Sequence, residues 1–300
     1  MSKLLSIVMV TARENPRFDC LTASLRQALE RAKLDYRAVE LIVIDKLLWG
    51  KGIQFGRRAE LLKAMREAKL EITFVHKPPK AGPWQGPTRL TKRDYWAKCN
   101  ASNTGLLLAT GKLCAMIDDC IYLHEDWVLA QLRALQLGYS VAGTVKSIIK
   151  PVFEDGVLQS YDTVPGDSQD AMRDTGMGIY RTSGNFLWGM NSSFPREFAV
   201  KAGGYDAAYD GQRGFEASDF GIRIERAGCA VVFDPTCLVF QILDTHTAAP
   251  EDSSSSEIVS NRKLLQFLEQ ERARCSPSRL YGALLAKGID WRTQKLLGDL

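Results

Sequence analysis

Three hundred residues, 45% hydrophobic and 25% charged, suffice to bury a substantial core and match an ordinary folded globular chain. No stretch approaches the roughly 20 consecutive apolar residues that cross a bilayer; the seven cysteines include no Cys-x-x-Cys pair, which argues against structural zinc, and without an export signal they are expected as reduced thiols. The net charge is +4, yet Lys46 to Lys112 holds 14 Lys or Arg against 4 Asp or Glu, and a basic half beside an acidic remainder points to an anionic ligand.

The start of the chain, with one Lys and a short apolar run to Val10, is too brief for a signal peptide and reads as a first strand, so a cytoplasmic location is expected. Asn15-Pro16 offers an N-cap and a first-turn proline, followed by Leu21, Leu25, Ala28 and Leu29 at helical spacing. Val39 to Ile44 is a second apolar run ending at Asp45. Arg57 to Lys69 reads as a helix and Ile72 to Val75 as a third strand. This alternation predicts parallel strands joined by right-handed crossovers, with ligands at their carboxyl ends. Thr11, Asp45 and His76 stand at such ends.

Four prolines within ten residues exclude regular structure after Lys77. Tyr95 to Thr110 returns to helical spacing, and Lys112 to Ile117 is a fourth strand running into Asp118-Asp119. Phe153 to Arg181 is polar and Gly-rich, the pattern of a mobile loop or lid. A strand at Phe186 to Met190 follows, then helices at Pro195 to Ala202 and from about Ser218 to Ala227, stopped by glycines. Val231 to Ile242 supplies closing strands. After the Ser-rich linker at Glu251 to Ser256, Leu264, Leu265 and Leu268 share one face of an amphipathic tail.

The chemistry concentrates in Met116-Ile117-Asp118-Asp119-Cys120. Two carboxylates past a strand end repel unless a cation, a proton or hydrogen bonds offset them. Hard oxygen ligands of this kind suit Mg²⁺ or Mn²⁺ bound jointly with phosphates. A helix cap leading into Glu125-Asp126-Trp127 is the other reading of the pair. Upstream stands Asn103-Thr104-Gly105; downstream stand Gly203-Gly204-Tyr205-Asp206 and the run from Gly214 to Gly228, with Glu216, Asp219 and Arg223 inside it.

In order and spacing, these motifs resemble the family-two GT-A glycosyltransferases over roughly residues 5 to 245. The resemblance implies a GT-A fold, with a Rossmann-like, mostly parallel central sheet flanked by helices. Residues 1–250 would form the catalytic domain, 1–120 its nucleotide-binding half and 121–250 its acceptor half, with 251–300 a C-terminal helical extension. It implies a nucleotide-sugar donor, most simply a UDP-sugar, used with Mn²⁺ or Mg²⁺ in an inverting transfer. Thr11 and Asp45 would lie by the nucleobase and ribose. Asp118 would join Asn103 in donor binding, Asp119 would hold the metal, and Glu216 or Asp219 would be the general base. Trp188 and Asn191 would border the sugar, and His246 would be a further metal ligand. Two positions depart from the pattern: Cys120 replaces the last acid of Asp-x-Asp, and Ala217 replaces the Asp of the usual acidic pair.

The acceptor is read from Lys77, Arg89, Lys92 and Arg93 around Trp84. Cations interleaved with an aromatic suit a nucleic-acid strand, so a hydroxymethylated base in DNA, flipped into the site, is one expectation. The same loop would otherwise hold the donor diphosphate, and a saccharide or lipid acceptor stays open. A degenerate chain that binds nucleotide sugar without turning it over is the alternative in a different class, fed by Cys120 and Ala217. A nucleotidyltransferase would carry a Gly-rich, basic loop after the first strand, and none is present.

Overall fold

A computed structural model describes residues 3–13, 15–49, 54–79, 98–164, 178–210, 214–243, 262 and 265–266. Its framework follows from three apolar runs: β1 (Leu5–Thr11), β2 (Val39–Asp45) and β4 (Leu113–Ile117). Successive residues of a strand point to opposite faces, and here both faces are dry. Ile7, Met9, Leu41 and Val43 enter one core, while Val8, Ile42 and Ile44 enter another. Strands buried on both faces read as unbroken apolar runs, the pattern of a parallel sheet covered by helices.

β1 pairs in parallel with β2 and with β4, and β2 pairs in parallel with β3 (Thr73–Lys77). On one face lie α1 (Phe18–Arg31), α2 (Gln54–Glu67) and α4 (Trp127–Leu137); on the other lie α3 (Lys98–Leu108), α5 (Arg196–Lys201) and α6 (Glu216–Arg226). Among the described residues, ten strands form one sheet along the path β3-β2-β1-β4-β9-β6-β10-β5, with β7 on β6 and β8 on β10. Here β5 is Ile121–Leu123, β6 Ser140–Glu154, β7 Val157–Thr163, β8 Tyr180–Thr182, β9 Asn191–Pro195 and β10 Val231–Ile242. β9 runs antiparallel between β4 and β6, so the parallel quartet grades into a mixed second half.

Three local expectations need correction. Helix α1 begins at Phe18, with Arg17 as its N-cap residue and no side-chain cap. Asn15-Pro16 stay outside it because the Arg17 amide donates to the Asp119 carbonyl at 3.0 Å, tying the helix entry to the turn after β4. The stretch from Phe153 begins as a hairpin. Asp155 and Gly156 take φ of 48° and 76°, the doubly left-handed Asp-Gly turn that matches strand twist, and β7 pairs back onto β6. The expected strand at Phe186 to Met190 lies further on, at β9. Gly184–Phe186 is instead a 3₁₀ turn packed on α6, where a β-carbon on Gly184 would meet the Gly221 carbonyl.

Of the C-terminal tail, Leu265 is buried in the second core and the Arg262 guanidinium lies 5.5 Å from the Phe215 ring centroid. Leu264 and Leu268 lie outside the described residues. No described helix is long and apolar enough to cross a membrane. The six described cysteines are free thiols, all buried.

Candidate active site

The register sets the site. Thr11 pairs with Asp45 at the ends of β1 and β2, and Met9 pairs with Ile117 of β4. Two residues past Ile117, Asp119 therefore stands level with Thr11. The Thr11 hydroxyl donates to Asp119 Oδ2 at 2.6 Å, and Arg13 Nε donates to Oδ1 at 2.7 Å. Asp119 is buried, and burial raises its carboxyl above the ordinary value. The Arg13 charge opposes that rise and the neighbouring Asp118 adds to it.

Asp118 faces the other way. Its Oδ1 is 3.4 Å from Lys98 Nζ, with side-chain exposures of 23% and 33% that leave the pair open to solvent. Asp118 lifts the Lys98 ammonium above its ordinary value, against desolvation, and Glu216 adds to the lift. Lys98 begins the described part of α3, and Glu216 opens α6. A β-carbon on Gly189 would lie 3.4 Å from Lys98 Nζ and 3.8 Å from Ala217 Cβ. Gly189 thus lies close to both the cation and Ala217. Glu216 is half-buried and makes no hydrogen bond or ion pair with a described residue.

Asp45 has a different surround. Its side chain is fully buried, and Oδ2 accepts from Arg57 Nε at 2.6 Å and lies 3.1 Å from His76 Nε2. An ionised carboxylate only accepts, so His76 carries its proton on Nε2. Oδ1 accepts from the Leu47 amide at 3.0 Å. Burial alone would raise this carboxyl; the bonds from His76 and Arg57 outweigh it and hold the value low. Arg57 also donates to the Arg13 carbonyl at 2.7 Å, joining the ends of β1 and β2 to α2. Asp45 thus positions this corner, and its carboxylate has no face toward solvent.

Three further expected site residues are built into the scaffold. Asn103 exchanges two 2.8 Å hydrogen bonds with the Tyr205 main chain and pins the Gly203-Gly204 turn. Asn191 accepts from Trp127 Nε1 at 2.9 Å and donates to the Thr144 and Cys237 carbonyls, deep between β6, β9 and β10. Asp219 takes Arg223 Nε at 2.9 Å and Nη2 at 2.8 Å, with side-chain exposures of 2% and 6%. Arg223 in turn donates to the Ala202 and Gly204 carbonyls. Trp188 is half-buried beside Gly189, its indole N–H on the Asn185 carbonyl at 3.0 Å. Lys77 is exposed at the end of β3. Trp84, Arg89, Lys92, Arg93 and His246 lie outside the described residues.

Sequence reading passed over Arg13 and Lys98. The available signal was position: Arg13 follows the β1 end by two residues, and Lys98 lies in the helix that precedes the Asp118-Asp119 strand. Asp210 was also missed. It accepts from the Cys99 and Asn100 amides at 2.8 and 3.0 Å, capping the described start of α3. Burial raises its carboxyl to about 6, those two bonds pulling the other way. The protonated form therefore carries stability that is complete below the unfolded value, about 4, and is lost as pH rises through the folded one. Urea midpoints from pH 4 to 7 should accordingly shift in favour of Asp210→Asn over wild type by on the order of 1–2 kcal/mol. A pH-independent difference would remove this reading.

As a cation site, the arrangement offers two adjacent carboxylates. Among the described residues no three His, Cys, Asp or Glu side chains come together to hold a metal. Cys120 does not complete a set, since burial pushes its thiol up to about 12. Asp118 Oδ2 makes no hydrogen bond with a described residue, whereas both oxygens of Asp119 are engaged. Two carboxylates fit an ion shared with substrate phosphates rather than one caged by protein alone.

No family model matches the chain, and no curated protein does. Solved structures do. A crystal structure of GalNAc-T7 with UDP, GalNAc and Mn²⁺ superposes with a TM-score of 0.56 at 16% identity, covering 91% of this chain and 50% of that one. A crystal structure of TarS from S. aureus gives 0.55 at 10% identity, covering 95% of this chain and 42% of that one. The chain thus spans about half the length of these structures or less. At such identities the likeness speaks to architecture alone. The chain has the GT-A glycosyltransferase fold.

Proposed function

We propose that this chain is a glycosyltransferase that moves a sugar from a nucleoside diphosphate, most simply UDP, to an acceptor hydroxyl. The observation that carries the reading is the Asp118-Asp119 pair at the carboxyl end of β4, in a GT-A fold, with a third carboxylate, Glu216, close enough for its charge to act on Lys98. GalNAc-T7, which shares the fold, was crystallised with UDP and Mn²⁺.

In the transfer, the acceptor oxygen attacks the anomeric carbon and a new C–O bond forms. The bond from that carbon to the diphosphate oxygen breaks, and its electron pair leaves with the diphosphate. The acceptor proton passes to Glu216, which makes no hydrogen bond with a described residue. The transition state is oxocarbenium-like, and attack opposite the leaving group inverts the carbon. Asp118, with Asp119 behind it, would hold Mn²⁺ or Mg²⁺, which supplies countercharge to the departing diphosphate when bound. Thr11 and Arg13 fix Asp119, so its main contribution is to orient the turn that presents Asp118. Trp188, beside Gly189, would offer its ring to the sugar.

A DNA acceptor rests on the basic loop, whose cations other than Lys77 lie outside the described residues, so the donor reaction is the direct test. UDP-sugars with Mn²⁺ should raise the melting temperature of the chain, and slow donor hydrolysis should disappear in Asp118→Ala. Binding without hydrolysis would favour a degenerate nucleotide-sugar binder. No shift with any nucleoside diphosphate would sink the transferase reading.

A further inference from the structure

Charge around the Asp118-Asp119 turn is balanced by side chains. Asp119 is offset by Arg13 at 2.7 Å. Asp118 is offset by Lys98, at a longer 3.4 Å. The two pairs differ in what they leave over. Arg13 is held on several sides, through its Nε, a 3.9 Å contact to the Cys120 sulfur and its carbonyl on Arg57. Lys98 has three N–H donors and, among the described residues, spends one, on a long bond, while a third of its side chain stays accessible.

Among the described residues, Gly189 adds no side chain beside that ammonium; a β-carbon there would already reach van der Waals contact with Nζ at 3.4 Å. The amides at the described start of α3 are not open to an anion in its place, because Asp210 already accepts from Cys99 and Asn100. A cation with unspent donors, beside a carboxylate that suits a divalent ion, is a receptor for an oxyanion. An oxyanion at this position would be shared between Lys98 and an ion on Asp118.

We propose that Lys98 is a phosphate-binding residue: its ammonium contacts the diphosphate of the nucleotide donor and supplies part of the countercharge that a metal ion on Asp118 would otherwise supply alone. This rests on the transferase reading and adds that metal dependence of nucleotide binding is partial. Lys98 bears on the leaving group, whereas Glu216 bears on the acceptor. Loss of Lys98 therefore weakens diphosphate binding whether or not an acceptor is present.

The test is UDP binding by calorimetry, in EDTA and in Mn²⁺, for wild type, Lys98→Met and Lys98→Arg, with uridine as a probe lacking phosphate. Wild type should retain measurable UDP affinity in EDTA. Lys98→Met should lose roughly tenfold or more there, about 1.4 kcal/mol, and less in Mn²⁺, with uridine binding unchanged. Lys98→Arg should recover most of the loss. Thermal melts of the variants identify misfolding, and uridine affinity reports an intact base site independently of phosphate. Equal UDP affinity of wild type and Lys98→Met in EDTA would overturn the assignment, as would wild-type binding that vanishes entirely in EDTA. If wild type binds no nucleoside diphosphate with or without Mn²⁺, the transferase reading fails and this inference falls with it.

Discussion

Glu216→Gln should slow donor turnover by about 10²–10⁴-fold, the usual worth of a positioned general base, and leave the melting temperature unchanged. The reason lies in how little the fold asks of this side chain. It opens α6 half-exposed, with no hydrogen bond or ion pair to a described residue, and surface changes away from such features rarely cost more than about 0.5 kcal/mol. Gln keeps the shape and removes the proton acceptor. Hydrolysis of a UDP-sugar, where water replaces the acceptor, reads the loss without knowledge of the natural substrate. UDP affinity should hold, because the proposed diphosphate contacts run through Lys98 and an ion on Asp118 and do not involve Glu216. Wild-type turnover in Glu216→Gln would remove Glu216 from the chemistry.

Asp219→Ala should do the reverse: destabilise the chain by about 3–5 kcal/mol while leaving turnover per folded molecule near wild type. Asp219 and Arg223 are both buried and form a two-pronged ion pair one helical turn apart. Arg223 also donates to the Ala202 and Gly204 carbonyls, so it cannot swing out to water without releasing the Gly203-Gly204 turn. Removing the carboxylate leaves a buried guanidinium uncompensated, and that imbalance sets the size of the effect. Urea denaturation measures it directly. A stable Asp219→Ala chain with no turnover would instead return the general-base role to Asp219.

These two substitutions divide what the sequence could say from what it could not. The pattern from Gly214 to Gly228 offered two carboxylates, and residue type alone could not rank them. Their surroundings differ: Asp219 is buried on Arg223, which reaches the Ala202 and Gly204 carbonyls, while Glu216 is half-exposed. The same holds for Asn103 and Asn191. Each is a polar residue in a glycine-rich or aromatic setting, as ligand-binding residues often are. Yet the far ends of their amides are claimed by Tyr205 and by Trp127, 102 and 64 residues away.

The first three strands and the carboxylates after Ile117 were legible because their signals are local: unbroken apolar runs ending in polar residues. The Asp155-Gly156 turn was also local, but the polar strands flanking it resemble a loop. Only β6 itself, buried at its first residues and exposed toward Glu154, decides that Val157–Thr163 is a strand. Arg13 and Lys98 were hidden for another reason. Each is one cation among many in a basic stretch, and only the register of β1 against β4 and the placement of α3 single them out.

Placing β9 between β4 and β6 makes the molecule hard to assemble piecemeal. The Asp119 carboxylate meets Thr11 across 108 residues of chain, and β4 gains its second neighbour only when residues 191–195 arrive. Such distant closures weigh on the entropy of folding and slow it. A chain growing from its amino terminus would carry an unpaired β4 edge until the second half emerges, open to association with other strands. The Asp118-Asp119 turn sits at the end of that edge, so its surround, with Gly189 near Lys98, is complete only once the second half of the chain has joined.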